Sequence, residues 1–295
     1  MNSASKWLLA SRPKTLPAAA APVIVGSAVA FWHQSFVLFP ALVTLLTALL
    51  LQVGANLAND LFDYYRGVDV PERLGPIRVT ASGLLPPRQV AAAMGFVFGA
   101  AIILGMYLFT VAGWPILVIG LSAIIAALAY TGGPFPYGYY GLGDLFVFLF
   151  FGPVAVFGTY YIQTMTISAE ALWSSIPIGL ITVAILVVNN LRDIRTDGAT
   201  GKHTLAVSLG AQGTRIEYLV CLILAYLSLI GMWVLLPMPI WIFLAYISIP
   251  LAYRLVKMVF AQTGRPLNRA LAGTGQLDLL FGLLFSAGFV LGRLL

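Results

Sequence analysis

The sequence is poor in charged residues and has almost no cysteine. Only 9% of its 295 residues are charged, whereas 60% are hydrophobic. A typical soluble domain has about 25% charged residues, so this composition excludes an ordinary water-soluble globule. The single cysteine, Cys221, lies inside an apolar run and has no second cysteine with which to form a disulfide. It therefore indicates a small buried side chain and gives no information about the redox compartment.

Long apolar runs take the place of the missing charges. They continue for about 20 residues, the length of a helix that crosses a bilayer, and lack the short alternation of barrel strands. Nine helices are predicted, at 16–36, 38–62, 89–111, 114–131, 143–164, 172–191, 214–236, 240–260 and 275–294. We expect an all-α polytopic membrane protein in which residues 1–295 form a single transmembrane domain.

The distribution of basic residues predicts the orientation of the chain. Of the 16 Lys and Arg residues, only Arg293 lies at a predicted outer end. A strong excess of basic residues on one side places that side in the cytoplasm, together with the N-terminus. The cytoplasmic segments are then 1–15, 63–88, 132–142, 192–213 and 261–274. Because the longest polar loops are on that side, we expect the functional site there.

Asn and Asp residues mark the predicted cytoplasmic ends of the second and sixth helices. The first group is Asn56, Asp60 and Asp63, and the second is Asn189, Asp193 and Asp197. At 100° per residue, the members of each group share one helix face. Carboxylates inside a membrane rarely face lipid, which favours a functional cavity. Two facing acidic stripes would raise each other's pKa values unless cations bind between them.

Divalent cations fit this pattern because Mg²⁺ typically takes one or two carboxylates together with phosphate oxygens and water. Basic residues near the stripes would neutralise the remaining charge of a bound diphosphate. They are Arg66, Arg73, Arg78, Arg192, Arg195 and Lys202. The residues thus predict a membrane site for a diphosphate held through Mg²⁺. For Asp69, which follows Gly67 and leaves the stripe, a functional role and a solvated loop position both stay open.

At these motifs the sequence resembles the UbiA-type intramembrane prenyltransferases, and the resemblance extends over the whole chain. Within that family it is most similar to the branch that acts on 1,4-dihydroxy-2-naphthoate. The segments concerned are "RPKTLPAAAAPVIVGSA" at 12–28, "NLANDLFDYYRGVD" at 56–69, "GPIRVTASGLLPP" at 75–87, "YTGGPFPYGYYGLGDLFVFLFFGPVAVFGTYY" at 130–161 and "NNLRDIRTDGATGKHTLAVSLG" at 189–210. The ubiquinone-type relatives usually have an aspartate four residues after the position of Asp63, where this chain has Gly67.

The resemblance implies a nine-helix UbiA-type bundle around a cytoplasm-facing cavity. It also implies transfer of a polyprenyl group from an allylic diphosphate to 1,4-dihydroxy-2-naphthoate, with release of diphosphate and CO₂, to give demethylmenaquinone in a bacterial cytoplasmic membrane. Two Mg²⁺ ions would bridge the diphosphate. Their implied ligands are Asn56, Asp60, Asp63, Asn189, Asp193 and Asp197. The four aspartates are then catalytic, with Arg66 and Lys202; Arg78 and Arg192 would bind substrate.

Three tyrosines in a cytoplasmic break are further candidates for substrate binding. Tyr130, Tyr137 and Tyr140 lie in a segment rich in glycine and proline. Aromatic faces near a carbocation contribute roughly 0.5–2 kcal/mol each through cation–π attraction. The alternative is an interfacial aromatic belt, where tyrosine is enriched in any membrane protein.

Other polar positions have two interpretations each. Arg12 and Lys14 either contact a substrate anion or anchor the first helix by the positive-inside rule. The loop at 75–87, with Arg78 and Ser82, either caps the site or is a solvent loop. Asp278, early in the last helix, either lines the cavity or pairs with Arg269.

Two other functions compete with the naphthoate reaction. One is a UbiA-type transferase with another aromatic acceptor, such as 4-hydroxybenzoate. The other is a cation-coupled transporter, since transporters also place carboxylates on membrane helices. Transporters usually bind near the bilayer midplane through broken helices, whereas both acidic groups here lie at helix ends on one side. For the naphthoate reaction, the expected partners are the polyprenyl diphosphate, 1,4-dihydroxy-2-naphthoate and the lipid bilayer. No nucleic acid is expected.

Overall fold

The computed structural model of the protein describes residues 2–68 and 74–295, and these residues contain helices and connecting segments without a β-strand. The α-helices are α1 Ser3–Ser11, α2 Leu16–Trp32, α3 Leu38–Tyr65, α4 Pro87–Ala112, α5 Trp114–Ala129, α6 Gly143–Leu149, α7 Gly158–Thr164, α8 Ala169–Ala199, α9 Leu205–Leu235, α10 Ile249–Ala261 and α11 Leu267–Leu294. A π-helical segment, Phe150–Phe157, joins α6 to α7, and a 3₁₀ segment, Ile240–Ser248, leads into α10.

The described residues contain a helix at each of the nine predicted positions, and α6, the π segment and α7 together form one of them. Eight spans are long and apolar enough to cross a bilayer, and α5 is a shorter apolar helix. The protein is therefore an integral multi-pass membrane protein. Three helices are longer than predicted at the end that carries polar residues. Helix α3 continues to Tyr65, α8 continues to Ala199, and α11 begins at Leu267. Hydropathy falls at these ends because they carry charged and amide side chains, while the backbone stays helical.

Two helices form the interior of the bundle. In the span ending at Trp32, 56% of the apolar stretch is buried inside the protein, and in α8 the share is 67%, against 17% in α4. The interior position of α2 follows from its small residues, because alanine and glycine let helix backbones approach closely in lipid. A Cβ added to Gly282 of α11 would lie 3.2 Å from the Cβ of Ala21 in α2.

The π segment is positioned by a proline and a glycine contact. Pro153 cannot donate the backbone hydrogen bond of a regular α-helix, which accounts for the local widening. Gly152, beside it, packs directly on Gly179 of α8. A Cβ at Gly152 would lie 2.8 Å from the Ser175 carbonyl oxygen and 3.1 Å from the Gly179 Cα. Only glycine allows this close approach.

The segment 74–86 between α3 and α4 is packed against the bundle and is not a solvent loop. Its Val79 and Leu85 are buried against Ala10 of α1 and Leu57 and Leu61 of α3. Helix α1 therefore lies over both α3 and this segment, which we call the cap loop.

We predict that Gly152→Leu destabilises the protein because the new side chain collides with the α8 backbone. Overpacking of this kind costs about 1–3 kcal/mol. The measurement is thermal unfolding of purified protein in detergent. Gly99→Leu in α4 is the matched control, since a Cβ there meets nothing within 4 Å. Equal melting temperatures for both variants would contradict the packing described here.

Candidate active site

A large cavity of about 760 Å³ lies between the helices. Most of its wall is apolar and comes from α3, α4, α5, the π segment and α7. Some of these residues, including Ile102, Met106 and Leu117, also have high solvent exposure. Its other end is polar and lies among the loops that follow α3, α5 and α8. The charged and amide residues there include Arg12, Lys14, Asn59, Asp63, Arg78, Asn189, Asn190, Arg192, Asp193, Asp197 and Lys202.

Asp63 is the residue on which several segments converge at the polar end. Its carboxylate is fully buried and lies 2.5 Å from Arg78 Nη2 and 3.3 Å from Lys202 Nζ. The Tyr139 hydroxyl donates a third hydrogen bond to it, at 2.5 Å. Asp63 thus joins α3, the cap loop, the segment after α5 and the segment after α8. A buried carboxylate needs this degree of pairing, because desolvation without compensation is costly.

The other two members of the first group, Asn56 and Asp60, are buried but do not line the cavity. Asn56 donates to the Ser11 carbonyl oxygen and to Thr15 Oγ1. Asp60 accepts the backbone N–H groups of Val79 and Thr80 in the cap loop, and Arg12 lies 3.9 Å away. The cavity face of α3 instead has Asn59 with Asp63, four residues apart. Of the predicted stripe, Asp63 lines the cavity, whereas Asn56 and Asp60 do not.

The second group lies on the cavity wall. Asn189, Asp193 and Asp197 all line it, and Arg192 beside them is almost fully buried. The Arg192 guanidinium makes a bidentate contact with the Asp193 carboxylate. Its Nε lies 2.9 Å from Oδ1, and its Nη2 lies 2.5 Å from Oδ2. It also donates to Asn189 Oδ1 and to Asn268 Oδ1. Asn268, from α11, was missed in the sequence because no motif marks it.

The basic candidates divide into two sets. Arg12, Lys14, Arg78 and Lys202 line the cavity, as does Arg192. Arg66 does not: its guanidinium donates to the carbonyl oxygens of Thr131 and Gly133 at the end of α5, and it borders a separate surface pocket. Arg66, predicted to be catalytic, therefore lies away from the cavity. It connects the end of α3 to the segment after α5 through these hydrogen bonds.

The tyrosine-rich segment contributes three rings to the site. Tyr130 and Tyr137 line the cavity, and Tyr137 is stacked on Phe146 at 4.1 Å. Tyr140 is exposed, stacked on Phe135, and outside the cavity. Tyr139 takes the place expected for Tyr140, with Lys202 Nζ 4.5 Å from its ring centroid. Burial and the neighbouring Asp63 carboxylate raise the pKa of Tyr139, so its hydroxyl stays a hydrogen-bond donor.

Four further predicted positions lie away from the cavity or outside the described residues. The exposed Ser82 donates its hydroxyl to the Arg78 carbonyl oxygen inside the cap loop. Asp278 is fully buried in α11, does not line the cavity, and accepts no hydrogen bond from the described residues. Asp69 and Arg73 lie outside the described residues.

The donor set at the polar end suits Mg²⁺. Carboxylates of Asp63, Asp193 and Asp197 line one cavity together with the amide oxygens of Asn59 and Asn189. Among residues 2–68 and 74–295, no three His, Cys, Asp or Glu side chains lie close enough to enclose an ion by themselves. Mg²⁺ usually takes one or two carboxylates and completes its shell with phosphate oxygens and water, so separated acidic groups fit a metal–diphosphate complex better than a bare ion.

Comparisons with known proteins agree with this geometry. A model described as the UbiA prenyltransferase family matches residues 19–272. The 1,4-dihydroxy-2-naphthoate octaprenyltransferase of Mycobacterium tuberculosis is 38% identical over 295 residues, 100% of each chain. The protein of the same name from Escherichia coli is 37% identical over 299 residues, covering 97% of this chain and 96% of that one.

The fold is also found among solved structures. A UbiA homolog from Archaeoglobus fulgidus, bound to GPP and Mg²⁺, superposes with a TM-score of 0.66 at 15% identity. The superposition covers 97% of this chain and 99% of that chain. At this level of identity the similarity establishes the UbiA-type helical bundle.

We predict that Arg78→Ala weakens binding of Mg²⁺–pyrophosphate by about tenfold or more, because a charge-assisted contact at the polar end is lost. Isothermal titration calorimetry of the purified protein measures this. Arg66→Ala is the matched control and leaves the affinity nearly unchanged, since that guanidinium is outside the cavity. A stronger effect of Arg66→Ala than of Arg78→Ala would show that the cavity is not the anion site.

Proposed function

The chain belongs to the UbiA prenyltransferase family, and we propose that it transfers a polyprenyl group from an allylic polyprenyl diphosphate to 1,4-dihydroxy-2-naphthoate. The identity of the acceptor substrate is proposed from the full-length similarity to 1,4-dihydroxy-2-naphthoate octaprenyltransferases, at 37–38% identity. The products are diphosphate, CO₂ and a demethylmenaquinone. The reaction belongs to menaquinone biosynthesis.

The two ends of the cavity suit the two parts of the donor. The polar end matches a diphosphate, and the apolar wall matches an isoprenoid, for which each buried methylene contributes about 0.8 kcal/mol. We propose that a tail longer than the cavity continues into the bilayer past the exposed wall residues of α4 and α5. A specific prenyl chain length is therefore not required by the site.

Charge neutralisation is the main task of the residues around the diphosphate. Arg78, Lys202 and Arg192 all line the polar end of the cavity. Asp63, Asp193 and Asp197, with Asn59 and Asn189, would hold two Mg²⁺ ions. When bound, Mg²⁺ stabilises the negative charge that develops on the departing diphosphate.

The remaining cavity residues protect and orient the organic reactants. The faces of Tyr130 and Tyr137 are suited to stabilise the allylic cation by cation–π attraction. The apolar wall excludes water, which would otherwise capture that cation. Arg12 and Lys14 border the same cavity and are suited to the carboxylate of the acceptor. The naphthoate ring then attacks the cation and forms the new C–C bond.

We propose that the polar end faces the cytoplasm of a bacterial cell, in its cytoplasmic membrane. The support is the excess of Lys and Arg in the segments around the polar end, by the positive-inside rule. Both the naphthoate and the diphosphate headgroup would then reach the site from the cytoplasmic side.

We predict that purified protein with polyprenyl diphosphate converts 1,4-dihydroxy-2-naphthoate to a prenylated, decarboxylated product. The measurement is product mass spectrometry with 1,4-dihydroxy-2-naphthoate and 4-hydroxybenzoate in parallel reactions. Preference for 4-hydroxybenzoate would assign the chain to the ubiquinone branch of the family.

Metal removal gives an independent prediction. EDTA abolishes turnover and added Mg²⁺ restores it, because the diphosphate cannot leave without neutralisation of its charge. Turnover that continues after EDTA treatment and dialysis would contradict the metal-dependent reaction.

A further inference from the structure

Asp60 belongs to the first acidic group by sequence, yet its carboxylate accepts hydrogen bonds from the cap loop. We propose that Asp60 is a positioning residue that fixes this loop so that Arg78 reaches Asp63 at the polar end of the cavity. The kinetic consequences of this assignment rest on the proposed function. The structural consequences do not.

The contact between Asp60 and the cap loop uses both carboxylate oxygens. Oδ2 accepts the backbone N–H of Val79 at 3.0 Å, and Oδ1 accepts that of Thr80 at 2.9 Å. The side chain is only 1% exposed, so these bonds are made away from water. A carboxylate is an acceptor at both oxygens and matches two adjacent N–H donors, whereas an asparagine would turn its own NH₂ group toward one of them.

The two anchored amides immediately follow Arg78, whose position is therefore set by Asp60. Arg78 is itself buried, and its Nη2 lies 2.5 Å from Asp63 Oδ2. The turn is closed internally as well, since the N–H and the hydroxyl of Ser82 both donate to the Arg78 carbonyl oxygen. Asp60 and Asp63 thus act on the same loop, one through its backbone and one through its guanidinium.

The beginning of the cap loop is anchored separately. Asn268 of α11 donates from Nδ2 to the Leu74 carbonyl oxygen at 2.9 Å, while its Oδ1 accepts from Arg192 Nη1. The loop is consequently held by α3 at Val79 and Thr80 and by α11 at Leu74. Arg78 lies between these two anchors and is the loop side chain that lines the cavity together with Gly75 and Pro76.

A spin label on the loop tests the structural part without substrate or turnover. The exposed Ala81 is replaced by cysteine in a Cys221→Ala background and labelled, and the electron paramagnetic resonance spectrum reports loop mobility. Asp60→Ala, and to a smaller extent Asp60→Asn, should increase mobility. Size-exclusion chromatography and thermal unfolding identify folded protein. An unchanged spectrum in folded Asp60→Ala protein overturns the proposal, whatever reaction the protein catalyses.

A double-mutant cycle tests the link to Arg78. Asp60→Ala and Arg78→Ala should each raise the KM for prenyl diphosphate about tenfold or more, and the double variant should be no worse than Arg78→Ala alone. The Mg²⁺ concentration for half-maximal activity should stay within about twofold in Asp60→Asn but rise further in Asp63→Asn. Additive effects of the two substitutions would show that Asp60 does not act through Arg78. A Mg²⁺ requirement that rises equally in Asp60→Asn and Asp63→Asn would make Asp60 a metal ligand. Either result overturns the proposal.

Discussion

The buried charge of Asp63 is the interaction on which the polar end of the cavity depends. One carboxylate without solvent exposure contacts Arg78 of the cap loop, Lys202 after α8 and Tyr139 after α5. Three segments distant in sequence are therefore held at one point on α3. Because each of these groups would be costly to leave unpaired in a buried site, the cluster specifies the loop arrangement as well as binding charge.

A second cluster, centred on Arg192, lines the same cavity. Arg192 is held by Asp193, Asn189 and Asn268 and so joins α8 to α11. The two clusters are connected through Asn268, which also holds the start of the cap loop. The carboxylates of both clusters and the cations that balance them line one cavity, whose remaining wall is mostly apolar. A headgroup with high negative charge and a tail soluble in the bilayer match this division.

The sequence was sufficient for the membrane helices and the second acidic group, and less so for the first. Apolar length predicts a span directly, because the bilayer thickness fixes it. Helical periodicity shows that Asn56, Asp60 and Asp63 are near one another on α3, but it does not show which part of that face meets the cavity. The tertiary contacts turn Asn59 and Asp63 inward and Asp60 toward the cap loop. Tyr139 and Asn268 depend on loop and interhelical geometry, which has no local pattern in the sequence.

The central claim is that the ends of α3 and α8 share one diphosphate site. It is tested most directly by a structure of the protein with a non-reactive prenyl thiolodiphosphate and Mn²⁺, in which anomalous scattering locates the metal. The account predicts metal density in the cavity between Asp63 on one side and Asp193 and Asp197 on the other, with the prenyl tail along the apolar wall. Metal bound at Asn56 and Asp60, or a diphosphate outside the cavity, would contradict it.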